Sequence, residues 1–157
     1  MVYAGSNIES ADKPADFVCP GRKSSKKIVY DSTKVGQYYD FPSRDHVSYS
    51  FRIRCYKAPA ETNLARKALI ADLNPLFEEL PKDFEQLTLQ LNKELEKLNS
   101  NNHRRRGQNI LFCDGHVKFV KTRLIGENKD DIFTLQNIFF YSGCETPSRE
   151  TDAFLAP

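Results

Sequence analysis

A short β-hairpin is the sequence feature that most constrains the fold of this chain. Residues 108–120 read Gln-Asn-Ile-Leu-Phe-Cys-Asp-Gly-His-Val-Lys-Phe-Val, and two apolar runs meet at Asp114-Gly115. Asp-Gly between such runs is typical of a two-residue type I′ turn, because glycine adopts positive φ without a steric penalty. The sequence therefore predicts an antiparallel hairpin that turns at these two residues.

A two-residue turn also fixes which residues of the two strands face each other. Cys113 would then lie opposite His116, and side chains would alternate between the two faces of the hairpin. The predicted apolar face consists of Ile110, Phe112, Val117 and Phe119. The more polar face consists of Leu111, Cys113, His116 and Lys118. We expect the apolar face to pack on the core.

Other segments predict the remaining elements. Residues 46–56 alternate strictly, with Val47, Tyr49, Phe51, Ile53 and Cys55 on one face and His46, Ser48, Ser50, Arg52 and Arg54 on the other. This pattern is typical of a half-buried antiparallel strand. Residues 68–71 form a short apolar run, strand or helix, that Asn74-Pro75 ends. Two further apolar runs, 132–135 and 138–141, indicate one or two more strands.

One segment has helical periodicity. Between residues 81 and 99 the apolar side chains follow spacings of three and four: Phe84, Leu87, Leu91, Leu95 and Leu98. Such a stripe predicts an amphipathic helix, and Pro81 suits its first turn. We expect this helix to cover the apolar face of the sheet.

These elements predict one α+β domain over residues 1–157, with an antiparallel sheet packed against a helix. Residues 1–45 read as a loop-rich N-terminal segment, residues 46–141 as the α+β core, and residues 142–157 as an extended tail. The net charge of +2 is too small to indicate a nucleic-acid partner. No stretch approaches the roughly 20 apolar residues that span a bilayer.

Three residues near the hairpin are candidate metal ligands: His103, Asp114 and His116. Imidazole and carboxylate groups bind zinc and similar ions, although Asp114 is also accounted for as the turn residue. Asp130 and Asp131 lie in an acidic turn whose oxygen atoms suit Ca²⁺, without the EF-hand pattern. We expect no cofactor and no catalytic residue. A small metal-dependent enzyme using His103, Asp114 and His116, with zinc or manganese, is the alternative.

Two further groups of residues leave alternatives open. Three adjacent arginines, 104–106, could neutralise phosphates, but clusters of this kind without interleaved aromatic residues are usually solvated loops. The four cysteines, Cys19, Cys55, Cys113 and Cys144, contain no Cys-x-x-Cys pair, which argues against a zinc ribbon. They allow either independent thiols or two disulfides in one of three pairings.

The hairpin also carries a resemblance to a known family. A histidine, a ten-residue spacer and Asp-Gly follow one another here, with the motif positions His103, Gly107, Asn109, Asp114, Gly115 and His116. This segment resembles the C-terminal motif of prepilin-like (pseudopilin-like) bacterial proteins, in which nine spacer residues are the common form. Weaker similarities are spread over most of the chain, among them residues 17–20, 48–51, 70–75, 130–134 and 152–157.

The resemblance implies the globular head of a protein related to type II secretion and type IV pilus subunits. In that family a long N-terminal helix packs on a small antiparallel sheet, whereas this sequence contains neither the cleavage motif nor an apolar anchor helix. It implies a non-enzymatic structural or protein-binding domain, with other protein subunits, homo-oligomers or filament relatives as partners. The implied location is extracytoplasmic, at the periplasm or cell surface, or cytoplasmic if no targeting segment precedes the chain.

Overall fold

Antiparallel β-structure dominates the fold. A computed structural model of the chain describes residues 17–22, 46–53, 63–78 and 88–157. Seven strands occur in these ranges: β1 (Tyr49–Ile53), β2 (Ala68–Asp72), β3 (Leu89–Gln90), β4 (Gln108–Phe112), β5 (Val117–Val120), β6 (Phe140–Tyr141) and β7 (Phe154–Ala156). Five of them form one sheet in the order β5-β4-β2-β1-β7, and β3 pairs with β6 in a second. All pairs are antiparallel.

The α+β prediction is wrong, because the described residues contain short 3₁₀ turns and no α-helix. These turns are Leu64–Arg66, Pro75–Phe77, Leu95–Lys97, Asn101–His103 and Glu127–Lys129. The described residues also include no helix long and apolar enough to cross a membrane. The sheet therefore has no helical layer within this part of the chain.

The helix predicted over residues 81–99 is replaced, from residue 88 onward, by a short strand and a 3₁₀ turn; residues 81–87 lie outside the described residues. Leu89 pairs with Tyr141 in the small sheet. The Asn92 Oδ1 atom accepts hydrogen bonds from the backbone N–H groups of Glu94 and Leu95, at 3.0 and 2.9 Å. An asparagine that caps a turn in this way competes with a continuous helix. The leucine spacing alone did not reveal this interruption.

The hairpin forms as predicted, but its register is shifted by one residue. Ile110 pairs with Lys118, and Leu111 pairs with Val117. The backbone N–H of Phe112 donates to the His116 carbonyl at 2.9 Å. The loop therefore has three residues instead of two, and Gly115 adopts a φ of 92°. A three-residue loop that ends in a left-handed glycine is the next most common hairpin connection.

This shift reverses the face assignment of β5, because a one-residue slip moves every side chain of a strand to the other face. Ile110 and Phe112 on β4 are buried, as predicted. Val117 and Phe119 on β5 are 65% and 45% exposed, so their predicted place in the core is wrong. The predicted pairing of Cys113 with His116 is wrong for the same reason.

β1 also buries a face that its sequence pattern assigns to solvent. Ser48 and Ser50 are fully buried. The Ser50 Oγ atom accepts a hydrogen bond from the backbone N–H of Asn74 at 2.8 Å. Small side chains at these positions allow the loop after β2 to pack closely on β1, and the Ser50 hydroxyl satisfies a backbone donor there.

The C-terminal residues complete the core. Buried apolar residues form two clusters, one of Ala68, Ala71, Ile110, Phe112, Ile132, Phe133, Ala153 and Leu155, and one of Leu135, Tyr141 and Phe154. The predicted run 138–141 ends in β6, whereas residues 132–135 are largely buried outside the strands. β7 lies within the expected tail and contributes to both clusters through Phe154 and Leu155. The tail is therefore part of the sheet and of its packing.

Candidate functional site

A buried carboxylate lies at the centre of the candidate site. Asp72 ends the central strand β2 and is 1% exposed. Its Oδ1 atom accepts a hydrogen bond from Asn102 Nδ2 at 2.9 Å, and its Oδ2 atom accepts one from the backbone N–H of Asn109 at 2.6 Å. A carboxylate removed from water is strongly destabilising without such donors. Asp72 thus joins β2 to both ends of the segment that leads into β4.

His103 approaches this carboxylate from a 3₁₀ turn. Its Nε2 atom lies 3.2 Å from Asp72 Oδ2 and 2.7 Å from Asn109 Nδ2. Left-handed conformations at Arg104 and Arg105, with φ of 56° and 62°, turn the chain away immediately after the histidine. The ring is thereby held between β2 and the start of β4.

Cys19 reaches the same point from the N-terminal part of the chain. Its Sγ atom lies 4.0 Å from His103 Nε2, and the residue is 3% exposed. A Cβ atom at Gly21 would lie 2.6 Å from the Asn102 carbonyl oxygen, so only glycine permits this approach. Burial raises the pKa of the Cys19 thiol, and hydrogen bonding from the Gly21 backbone partly offsets that effect. The thiol form is favoured near neutral pH.

The three groups converge on one atom of the histidine. Cys19 Sγ, Asp72 Oδ2 and Asn109 Nδ2 all approach Nε2. In a nucleophile–histidine–carboxylate triad, the nucleophile and the carboxylate contact opposite ring nitrogens. Because the thiol and the carboxylate here approach the same ring nitrogen, the arrangement is not a nucleophilic triad. Instead, the sulfur, nitrogen and oxygen atoms of Cys19, His103 and Asp72 lie close together.

An open cleft of about 680 Å³ borders this cluster. Its lining includes Pro20, Gly21, His103, Arg104, Arg106 and Lys121. The His103 side chain is 32% exposed, whereas that of Asp72 is 1% exposed. The histidine thus forms the boundary between the buried carboxylate and the open, positively charged cleft.

Family models, curated proteins and solved structures gave no match.

Two predicted metal ligands lie at the other end of the hairpin from His103. His116 Nδ1 lies 2.6 Å from Asp114 Oδ1, and the His116 ring stacks on Phe112 with ring centroids 4.3 Å apart. The His116 backbone N–H lowers the pKa of the exposed Asp114 carboxyl. Among the described residues, Cys19, Asp72 and His103 form the group of three metal-binding side chains whose ligand atoms lie within 4.8 Å of one another. Asp114 and His116 are not part of that group.

The remaining motif positions have structural contacts. Gly107 has a φ of 151°, and a Cβ atom there would lie 2.2 Å from the Val120 carbonyl oxygen. Asn109 binds Asp72 through its backbone and lies in β4 opposite Phe119. Gly115 supplies the left-handed loop residue. These positions shape the hairpin and attach it to β2.

The two candidate calcium ligands are engaged in contacts within the protein. Asp130 accepts hydrogen bonds from the Ala153 backbone at 2.7 Å and from the Gln136 side chain at 2.9 Å. Asp131 Oδ1 accepts one from Arg123 Nε at 2.8 Å. Both carboxylates hold the C-terminal segments together.

The arginine run is divided between two roles. Arg105 forms an ion pair with Glu78 at 2.8 Å and donates to the Asn99 carbonyl at 2.9 Å. Arg104 and Arg106 line the cleft. Among the cysteines, Cys19 is buried and Cys144 is exposed, both as thiols, whereas Cys55 lies outside the described residues.

Sequence reasoning did not identify Asp72, Asn102 and Cys19 as members of one site. Asp72 carried a signal in retrospect, because it ends an apolar run on a central strand where a charged residue needs partners. Asn102 is fully buried beside it and donates to both Asp72 and the Ser48 carbonyl. Cys19 carried no local signal, since its partners lie more than 50 residues away in the chain.

Proposed function

We propose that this chain is a non-enzymatic, protein-binding head domain related to the pseudopilins, which contacts another subunit through β5 outside the cytoplasm. The observation that carries the proposal is an edge strand whose exposed side chains are apolar. β5 ends the main sheet, and Val117 and Phe119 on one of its faces are 65% and 45% exposed.

Edge strands favour this kind of association. The outer side of an edge strand presents backbone donors and acceptors that can pair with a strand from another chain. β5 pairs with β4 on one side and has no neighbouring strand on the other among the described residues. Exposed apolar side chains on such a strand would be covered in an assembly.

The motif residues support a structural role for the hairpin. His103 and Asn109 attach the start of β4 to Asp72, and Asp114 binds His116 at the loop. These contacts hold β4 against β2 and fix the position of β5 at the sheet edge. The resemblance to pseudopilins agrees with such a role, because those proteins are subunits that assemble with one another.

The simplest occupant of the edge is another copy of this chain. We expect the purified protein to self-associate with rising concentration and a photo-crosslinker placed at position 117 to join two copies. Sedimentation velocity and mass spectrometry of the crosslinked peptides provide the measurements. Val117→Lys should weaken self-association at least tenfold, because it places a charge on the strand that would be covered.

Leu124→Lys is the matched control, since Leu124 is 54% exposed but lies outside the strands. It should leave self-association unchanged. A chain that stays monomeric at every concentration, with no crosslink from position 117, would contradict the proposal. Equal weakening by the two lysine variants would also contradict it.

A further inference from the structure

The convergence of Cys19, Asp72 and His103 has a second consequence, which does not rest on the proposed subunit contact although Phe119 of β5 lines the same cleft. We propose that these three side chains form a binding site for one Zn²⁺ ion. A thiolate, an imidazole and a carboxylate are the three kinds of protein ligand that zinc uses. Three protein ligands with a fourth position open to solvent are also a known arrangement for this ion.

The distances between the donor atoms fit the ion. Ligands of a tetrahedral zinc site lie about 3.6 Å apart for a sulfur–nitrogen pair and about 3.3 Å apart for a nitrogen–oxygen pair, from the usual bond lengths. Here Cys19 Sγ and His103 Nε2 are 4.0 Å apart, and His103 Nε2 and Asp72 Oδ2 are 3.2 Å apart. Small adjustments of the cysteine would bring all three within bonding distance of one point.

The hydrogen bonding of His103 also favours a cation. Asn109 Nδ2 can only donate, whereas an ionised Asp72 Oδ2 can only accept. A single Nε2 atom that faces both cannot satisfy them with one protonation state. Asn109 Nδ2 also donates to Asp72 Oδ2, at 3.4 Å, so a cation that takes the single lone pair of Nε2 leaves the amide with an acceptor. The cation would then bind one lone pair each from nitrogen, oxygen and sulfur.

The surroundings of Asp72 are those of an oriented metal ligand. Asn102 donates to Oδ1, and the Asn109 backbone donates to Oδ2. Such outer contacts fix the direction of a ligating carboxylate and raise metal affinity. A thiolate and a carboxylate would balance the two charges of the ion. The exposed side of His103 lies at the cleft, which leaves the fourth position open to solvent.

Cobalt and zinc titrations of the metal-free protein test this proposal. Co²⁺ alone should bind at one equivalent and produce the absorption bands of a tetrahedral site, together with a thiolate-to-cobalt charge-transfer band. Zn²⁺ should displace it at one equivalent. Absence of these bands from the folded wild-type protein would overturn the proposal without the use of any variant.

Variants then assign the ligands. Cys19→Ser should remove the charge-transfer band, and His103→Ala should lower Zn²⁺ affinity at least tenfold. Cys144→Ser and His116→Gln are the matched controls, because both residues lie on the exposed surface and outside the group. Circular dichroism establishes that each variant is folded. A band that persists in folded Cys19→Ser, or disappears in Cys144→Ser, would show that another cysteine binds the metal.

Discussion

Gly107 shows how strongly a single residue constrains the hairpin. Its φ of 151° favours glycine, and the position of a Cβ atom is already occupied by the Val120 carbonyl and the Phe119 ring. Gly115 also has a positive φ, of 92°, but nothing lies within 4 Å of its Cβ position. The two positions therefore require glycine for different reasons: Gly107 because of both its close contacts and its backbone conformation, and Gly115 because of its backbone conformation alone.

This difference gives a residue-scale prediction. Gly107→Ala should lower the free energy of unfolding by about 3 kcal/mol, because it combines an overpacked contact with backbone strain. Gly115→Ala should cost only about 1–2 kcal/mol, from the backbone conformation. Urea denaturation of the two variants provides the measurement. Equal losses, or a larger loss for Gly115→Ala, would show that the close contact at Gly107 relaxes freely.

Individual strands show which elements a sequence can reveal. The hairpin was predictable because the Asp-Gly turn and the apolar runs are local signals. Its register was not, since two-residue and three-residue loops can both contain Asp-Gly, and this choice decides which face Val117 occupies. The leucine pattern was compatible with a helix, but the capping contacts of Asn92 and the pairing of Leu89 with Tyr141 favour other structure there.

The C-terminal strand gives a prediction at the scale of an element. Leu155 in β7 is fully buried in the main cluster, and Asn74 Nδ2 donates to its carbonyl at 2.8 Å. Leu155→Ala should lower the free energy of unfolding by about 2–5 kcal/mol, as expected for a buried leucine. Phe140→Ala is the control, because Phe140 is 60% exposed, and it should cost much less. A stable Leu155→Ala variant would show that the tail is dispensable.

At the scale of the whole molecule, buried polar contacts connect segments that are distant in the chain. Asp72 joins β2 to Asn102 and Asn109, and Asn74 joins the following loop to the carbonyls of Phe133 and Leu155. Contacts of this kind depend on the complete fold and leave no periodic pattern in the sequence. The sequence could therefore indicate the hairpin and strand β1, and it left residues 68–71 open between strand and helix. It could not indicate that His103 meets Asp72 and Cys19.

Three other carboxyl groups, on Glu78, Asp130 and Asp152, are buried in a way that should make stability depend on pH. Burial raises the pKa of Glu78, Asp130 and Asp152. Asp152 accepts hydrogen bonds from the Gln136 backbone, at 3.3 and 3.2 Å, and its pKa is raised further by the nearby charge of Asp130. The folded chain therefore holds these protons more tightly than the unfolded chain. Their contribution to stability is complete below the ordinary carboxyl pKa and is lost as the pH rises through the raised values.

Asp152→Asn tests this dependence, because the amide retains an acceptor oxygen and cannot ionise. As the pH rises from about 4 to about 7, across the range in which carboxyl groups ionise, the wild type should lose stability relative to the variant. Urea unfolding at intervals across that range gives the difference. Glu127→Gln in an exposed turn is the control, and its difference from the wild type should stay nearly constant. A difference for Asp152→Asn that moved in favour of the wild type would mean that the hydrogen bonds from Gln136 stabilise the charged form by more than burial destabilises it.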